Sequence, residues 1–265
     1  MAMSAPSWFL SRETDLASPV PRIYCFHHAG GNPRAFLALQ PGLGAHARVV
    51  PVCMPGRDHR ADVPRPASVD EFAEGAAAAI AEHADDQPFY LLGHSLGALV
   101  AFETARRLRH VDTLARLIVS GSNAPSRVPS ARTVQTARLE GREFAEAMTY
   151  FGGMPPEAIQ DDDLRRLLLP GLQEDFQLSA AYRYEPAEPL GVGISLVNGL
   201  DDPHVKAPGL EPWRRECEGE PQYHWAPGGH FYFMDEPSAL TDVLLPLVHD
   251  GDRPVASAGH HTELI

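Results

Sequence analysis

The stretch FYLLGHSLGALVAFETARRL, Phe89 to Leu108, leaves this chain few ways to fold. Its first four residues are apolar and strand-forming, and the residues from Leu96 carry apolar side chains at helical spacing. The junction is Gly93-His94-Ser95-Leu96-Gly97, so the backbone must pass from strand to helix in one sharp turn with a serine at its tip. Such a turn drives the serine toward positive φ and crowds its neighbours, which makes the flanking glycines a steric requirement. The following helix aims its positive end at the hydroxyl, and the Leu96 amide points where an oxyanion would form.

The rest of the chain repeats the strand-then-helix pattern. Short apolar runs stand at Arg22–Phe26, Arg48–Cys53, Phe89–Leu92, Ala115–Ser120, Gly193–Asn198 and Pro221–Trp225. Runs that are apolar throughout belong to strands buried on both faces, and helical patterns such as Val69–His83 and Leu96–Leu108 lie between them. The expectation is an α/β protein with a mostly parallel sheet and helices on both faces. From about 130 to 185 no strand pattern occurs. Helical segments there, broken at Gly152-Gly153, Pro155-Pro156 and Pro170-Gly171, read as an insertion that packs over the sheet as a lid, with Leu164, Leu167, Leu168 and Leu169 giving it a wide apolar face. Residues 1–249 read as one domain, and 250–265 as a disordered tail without periodicity.

At 265 residues and 44% hydrophobic content the chain has material for one sizeable core. The net charge of -13, with basic residues scattered, argues against a nucleic-acid partner. No apolar run reaches the roughly 20 residues that span a bilayer, and the N-terminal residues lack a signal-peptide pattern, so a cytoplasmic protein is expected. Cys25, Cys53 and Cys217 read as reduced, mostly buried thiols.

A serine hydroxyl is a weak nucleophile until a base takes its proton and a carboxylate orients the base. In a strand-turn-helix setting those partners follow in the order acid, then histidine, on loops after later strands. The loop after GISLVN reads Gly199-Leu200-Asp201-Asp202-Pro203-His204, and the loop after PQYHW reads Ala226-Pro227-Gly228-Gly229-His230-Phe231. Asp202, directly before Pro203, is favoured over Asp201. His230 is favoured over His224, which lies within a strand, and over His204, which follows the acid too closely to face it. His94 is expected to support the turn from inside. The catalytic set is thus Ser95, Asp202 and His230. A second oxyanion donor is expected after the first central strand, where His27-His28-Ala29-Gly30-Gly31 places the Ala29 amide to pair with that of Leu96. No phosphate-loop or dinucleotide fingerprint follows these glycines, and no H-E-x-x-H or H-x-H metal spacing occurs.

These segments, with Pro55-Gly56-Arg57, Arg60, Phe102-Glu103, Leu169-Pro170, Asp175-Phe176, Tyr182 and Trp213, together resemble the stand-alone type II thioesterases of polyketide and nonribosomal peptide biosynthesis. The resemblance covers nearly the whole chain and implies an α/β-hydrolase fold. It also implies hydrolysis of acyl thioesters from the phosphopantetheine arm of acyl or peptidyl carrier proteins, without cofactor or metal; a monomer is expected. An acyl-CoA or small-ester hydrolase, or a product-releasing cyclase, would use the same residues. Two positions depart from the family pattern: Leu96 replaces its usual methionine, and Gln173-Glu174 replaces an arginine-alanine pair. Because carrier proteins of such systems are acidic, Arg57, Arg60, Arg127, Arg132 and Arg138 are candidates for a local basic docking patch.

Overall fold

A computed structural model describes residues 7–10, 19–152 and 160–249. Six strands, β1 (Arg22–Phe26), β2 (Arg48–Pro51), β3 (Phe89–His94), β4 (Leu114–Ser120), β5 (Gly193–Gly199) and β6 (Gln222–Ala226), form one sheet in the order β2-β1-β3-β4-β5-β6. Every neighbouring pair is parallel. All six apolar runs in the sequence became strands, with ends that moved by two residues at most. Val52 and Cys53 leave β2 because the chain bends to meet the N-terminal segment: Val52 bridges Phe9 and the Cys53 amide donates to Trp8 O.

Alternate side chains of each strand enter opposite layers, as the strand period of two requires. Tyr24, Phe26, Leu91 and Val119 point into a core closed by α1 (Val69–Glu82) and α2 (Leu96–Arg107). Ile23, Cys25, Leu92 and Ile118 point into a second core with Phe36, Leu39, Leu43 and, from α6 (Ser238–His249), Leu240, Leu244 and Leu247. The three cysteines are free and buried. Strand β6, at the edge, is the exception to full burial, with Tyr223 and Trp225 exposed. No helix among the described residues is long and apolar enough to cross a membrane.

Between β4 and β5 the described chain forms α3 (Ala131–Thr136), α4 (Gly141–Phe151) and α5 (Asp162–Ala181). Phe144, Ala145 and Met148 of α4 meet Leu169, Leu172 and Phe176 of α5 in a separate small core, against which Ala29 packs. Helix α4 stops at Gly152, whose φ of 68° gives a left-handed cap. The expected break at Pro170-Gly171 does not occur; α5 runs through both residues. Side chains on either side of the proline, Leu169, Leu172, Asp175 and Phe176, are all buried, and this tertiary packing outweighs the hydrogen bond that proline removes. Gly153, Pro155-Pro156 and the tail from 250 lie outside the described residues.

Strands β2 and β3 flank β1 on opposite sides, so the connections leaving β1 and β3 diverge and open a crevice at the carboxyl ends of the sheet. Ser95 stands there with φ 55° and ψ -116°. A Cβ added at Gly93 would press into Gly97 O and come 2.5 Å from Ala98 Cα; one added at Gly97 would press into Phe26 O and come 2.6 Å from His27 O. These obstacles are backbone atoms that cannot rotate away. Gly97→Ala is therefore expected to lower stability in urea denaturation by about 1–3 kcal/mol or more. Gly191→Ala, where no atom lies within 4 Å of the new carbon, should stay within about 0.5 kcal/mol.

Candidate active site

The Ser95 turn is held from below. Ser95 N donates to Ser120 O at 2.9 Å, and Ala98 N donates to Ser95 O at 3.0 Å as α2 begins. Leu96, at the first position of that helix, has an amide free of intrahelical partners by geometry. His94, fully buried beside the serine, has Nδ1 3.0 Å from Ser120 Oγ, which in turn lies 2.9 Å from the Tyr232 hydroxyl. This chain of contacts ties β3 and β4 to the loop that carries His230. The expectation that His94 supports the turn from inside fits its position.

Asp202 and His230 come together across the ends of β5 and β6. His230 Nδ1 lies 2.7 Å from Asp202 Oδ2. The other carboxylate oxygen accepts the His204 amide at 2.7 Å, and Lys206 Nζ holds the Asp202 carbonyl at 2.8 Å. Asp202 is fully buried whereas Asp201 is exposed. Burial alone would raise the Asp202 carboxyl, but the hydrogen bond and charge of His230 and the His204 amide outweigh it and hold it below the usual carboxylate range. His224 stands apart, half-buried within β6.

Ser95 and His230 line one cavity of about 260 Å³, together with Leu96, Ser122, Tyr150, Phe151, Ser179 and His204. No hydrogen bond joins Ser95 Oγ to His230 among the described residues; contacts of this kind commonly tighten only when substrate fills the site. The cavity wall is aromatic. His204 stacks on Phe151 with centroids 5.3 Å apart, meets Tyr150 edge-on at 4.9 Å and His230 edge-on at 5.0 Å. The Arg132 guanidinium lies 3.9 Å over the Tyr150 ring. His204 was a rival base in the sequence, and its place in the structure is different: its amide orients Asp202 and its ring forms the wall. The Asx-type spacing Asp202-Pro203-His204 is the signal for the first role.

The histidines around His230 are kept neutral. Burial, followed by the charge of neighbouring histidines, lowers His28 to about 3 and His94 well below its ordinary value. Burial and the His230 charge lower His204 to about 4. The loop after β1 lies across the crevice from His230, with His28 edge-on to Phe231 at 4.8 Å. Its Gly30 amide donates to Asp175 Oδ2 of α5 at 2.7 Å. Asp175 is fully buried and pairs with both Arg57 and Arg65, and Arg65 also pairs with Glu174 at 2.9 Å. Two candidate docking arginines are thus turned inward: Arg57 toward Asp175, and Arg60, buried, over the Trp8 ring at 3.8 Å. Arg127, Arg132 and Arg138 remain exposed.

A parallel sheet with helices on both faces, a serine on a strained strand-to-helix turn and an Asp–His pair on later loops define an α/β-hydrolase. The chain belongs to the thioesterase-domain family, whose profile matches residues 21–247. It is 35% identical to thioesterase PikA5 of Streptomyces venezuelae over 81% of this chain and 76% of that protein. It is 30% identical to linear gramicidin dehydrogenase LgrE of Brevibacillus parabrevis over 91% and 92%. Among solved structures it is similar to YbtT, a type II thioesterase from the yersiniabactin NRPS/PKS biosynthetic pathway, with a TM-score of 0.78 at 27% identity over 88% and 94%. The protein is a hydrolase acting on thioester bonds.

Because the folded Asp202 pKa lies below its unfolded value of about 3.9, the carboxylate stabilises the fold fully above that value. That contribution is lost as pH falls through the lower folded value. The stability difference between wild type and Asp202→Asn, read from urea denaturation, should therefore be largest near neutral pH and shrink on strong acidification.

Proposed function

We propose that this protein is a type II, editing thioesterase that clears acyl groups from the phosphopantetheine arm of carrier proteins in polyketide or nonribosomal peptide synthesis. The observation that carries the reading is that His230, paired with Asp202 at 2.7 Å, lines one cavity with the strained Ser95. Ser95 Oγ attacks the thioester carbonyl while His230 Nε2 takes its proton. The amides of Leu96 and Ala29 receive the oxyanion, and the tetrahedral intermediate collapses with breakage of the C–S bond. The proton on His230 passes to the departing sulfur, giving the free phosphopantetheine thiol and an acyl-serine. A water then repeats the sequence, with His230 as base, and releases the acid.

Asp202 keeps His230 in the tautomer with Nε2 toward the cavity and offsets the charge it acquires. The three neutral histidines around it add no competing charge. The helical insertion α3–α5 acts as a lid whose Tyr150, Phe151 and Ser179 line the acyl cavity. The protein works in the cytoplasm as a monomer, meets an acidic carrier domain as its partner, and needs no cofactor. With Arg57 and Arg60 engaged internally, attraction to that partner falls to Arg127, Arg132 and Arg138.

The test compares kcat/KM on acyl chains carried by carrier protein with the same chains on coenzyme A. Higher values on the carrier are expected, and equal or lower values would point to an acyl-CoA hydrolase. In the same assay Ser95→Ala should fold normally and lose about 10⁴-fold or more in kcat. Retained turnover would remove Ser95 from the mechanism.

A further inference from the structure

The turn that carries Ala29 is held by a residue far away in sequence. His28 O accepts the Gly31 amide at 2.9 Å, closing a four-residue turn with Ala29 and Gly30 at its centre. Gly30 has φ +72°, the value of the third residue of a type II turn. Type I and type II turns differ by a flip of the central peptide, here the bond between Ala29 and Gly30. The Gly30 amide of that peptide donates to Asp175 Oδ2 at 2.7 Å. A flipped peptide would turn the Ala29 carbonyl toward the same carboxylate, oxygen against oxygen.

The contact comes from the helix over the site. Leu172 and Asp175 lie three residues apart on one face of α5, and a Cβ at Gly30 would come 2.5 Å from Leu172 Cδ1. The positive φ at position 30 favours glycine, and an added Cβ there would have to push Leu172 Cδ1 aside. The carboxylate is itself fixed, because Arg57 and Arg65 pair with its two oxygens. A carboxylate with no exposure is costly unless every oxygen is engaged, and the Gly30 amide is the partner that belongs to the turn carrying Ala29.

We propose that Asp175 is a positioning residue for the reaction. By holding the Ala29–Gly30 peptide in one orientation, it fixes the loop that presents the Ala29 amide and couples docking of helix α5 to completion of the oxyanion hole. The proposal rests on the assignment of Ala29 as an oxyanion donor. Donors of this kind act through pre-set geometry, and displacement on the order of 1 Å costs about 10²-fold in rate. Asp175 touches no substrate atom in this account. Its loss changes how the transition state is held and leaves substrate binding nearly intact.

The experiment uses the full chain, a small acyl-N-acetylcysteamine thioester, and a fluorophosphonate that labels Ser95 through an oxyanion-like transition state. Asp175→Asn is expected to lower kcat by about 10-fold or more with KM changed less than about 3-fold, and to slow labelling in parallel. Asp175→Glu keeps a carboxylate for the two arginines but displaces it from the Gly30 amide. It should show the same kcat loss, and it serves if the asparagine variant fails to fold. Glu174→Gln removes the neighbouring ion pair to Arg65 without touching Gly30, and should keep wild-type kcat. Wild-type kcat and labelling in both Asp175 variants, with only a lowered Tm, would overturn the proposal, as would a rise in KM alone. Absence of labelling and turnover in the wild type itself would instead overturn the functional reading beneath it.

Discussion

The site depends on a backbone-to-backbone contact between β1 and the serine turn. Position 97 faces the carbonyl oxygens of Phe26 and His27 so closely that no side chain fits between them. This contact fixes the distance between the loop after β1 and the N-terminus of α2. Those are the two places from which Ala29 and Leu96 would supply their amides. The positive φ of Ser95 follows from the same crowding, and the strain is borne by two cores that bury β3 completely. The placement of the proposed nucleophile and of the proposed oxyanion donors thus follows from one packing constraint.

A second constraint is electrostatic. Five histidines, His27, His28, His94, His204 and His230, gather near the ends of the central strands. Burial keeps His27, His28, His94 and His204 below their ordinary values. Their rings serve as packing material: His94 lies 4.8 Å from His230, and His204 closes the opposite side at 5.0 Å. Asp202 is the buried carboxylate against His230, and His230 and His204 keep its charge against the cost of burial. The proposed base, His230, is thus held between neutral rings and one fixed anion. Proton transfer in such a setting requires little rearrangement.

Much of this was legible in the sequence because it rests on local pattern. Strands buried on both faces must be apolar throughout, so RIYCF, FYLL and ARLIVS announced themselves. Parallel strands bring the loops that carry Ser95, Asp202 and His230 to one end of the sheet, so residues far apart in sequence can be read as neighbours. What depends on distant pairing was less visible. Nothing local tells that helix α5 continues through Pro170, because the reason is burial of Leu169, Leu172 and Phe176 against α4. The fate of Arg57 and Arg60 is of the same kind: their charge reads as surface until Asp175 and Trp8 are brought beside them. Glu174, at a position where the family pattern has alanine, acquires a purpose only in three dimensions, as the partner of Arg65. Tyr182 and Glu103, both part of the resemblance, likewise meet at 2.9 Å across 79 residues of chain.

On the mechanism proposed, Ser95 carries the acyl group between the two halves of the reaction. Rapid quenching of the protein with an acyl-carrier substrate, followed by proteolysis and mass spectrometry, tests it directly. A transient acyl mass is expected on the peptide containing Ser95 in the wild-type protein, and none on the corresponding peptide of Ser95→Ala. Acylation at another residue, or turnover with no covalent intermediate under conditions that trap acyl-serines, would contradict it.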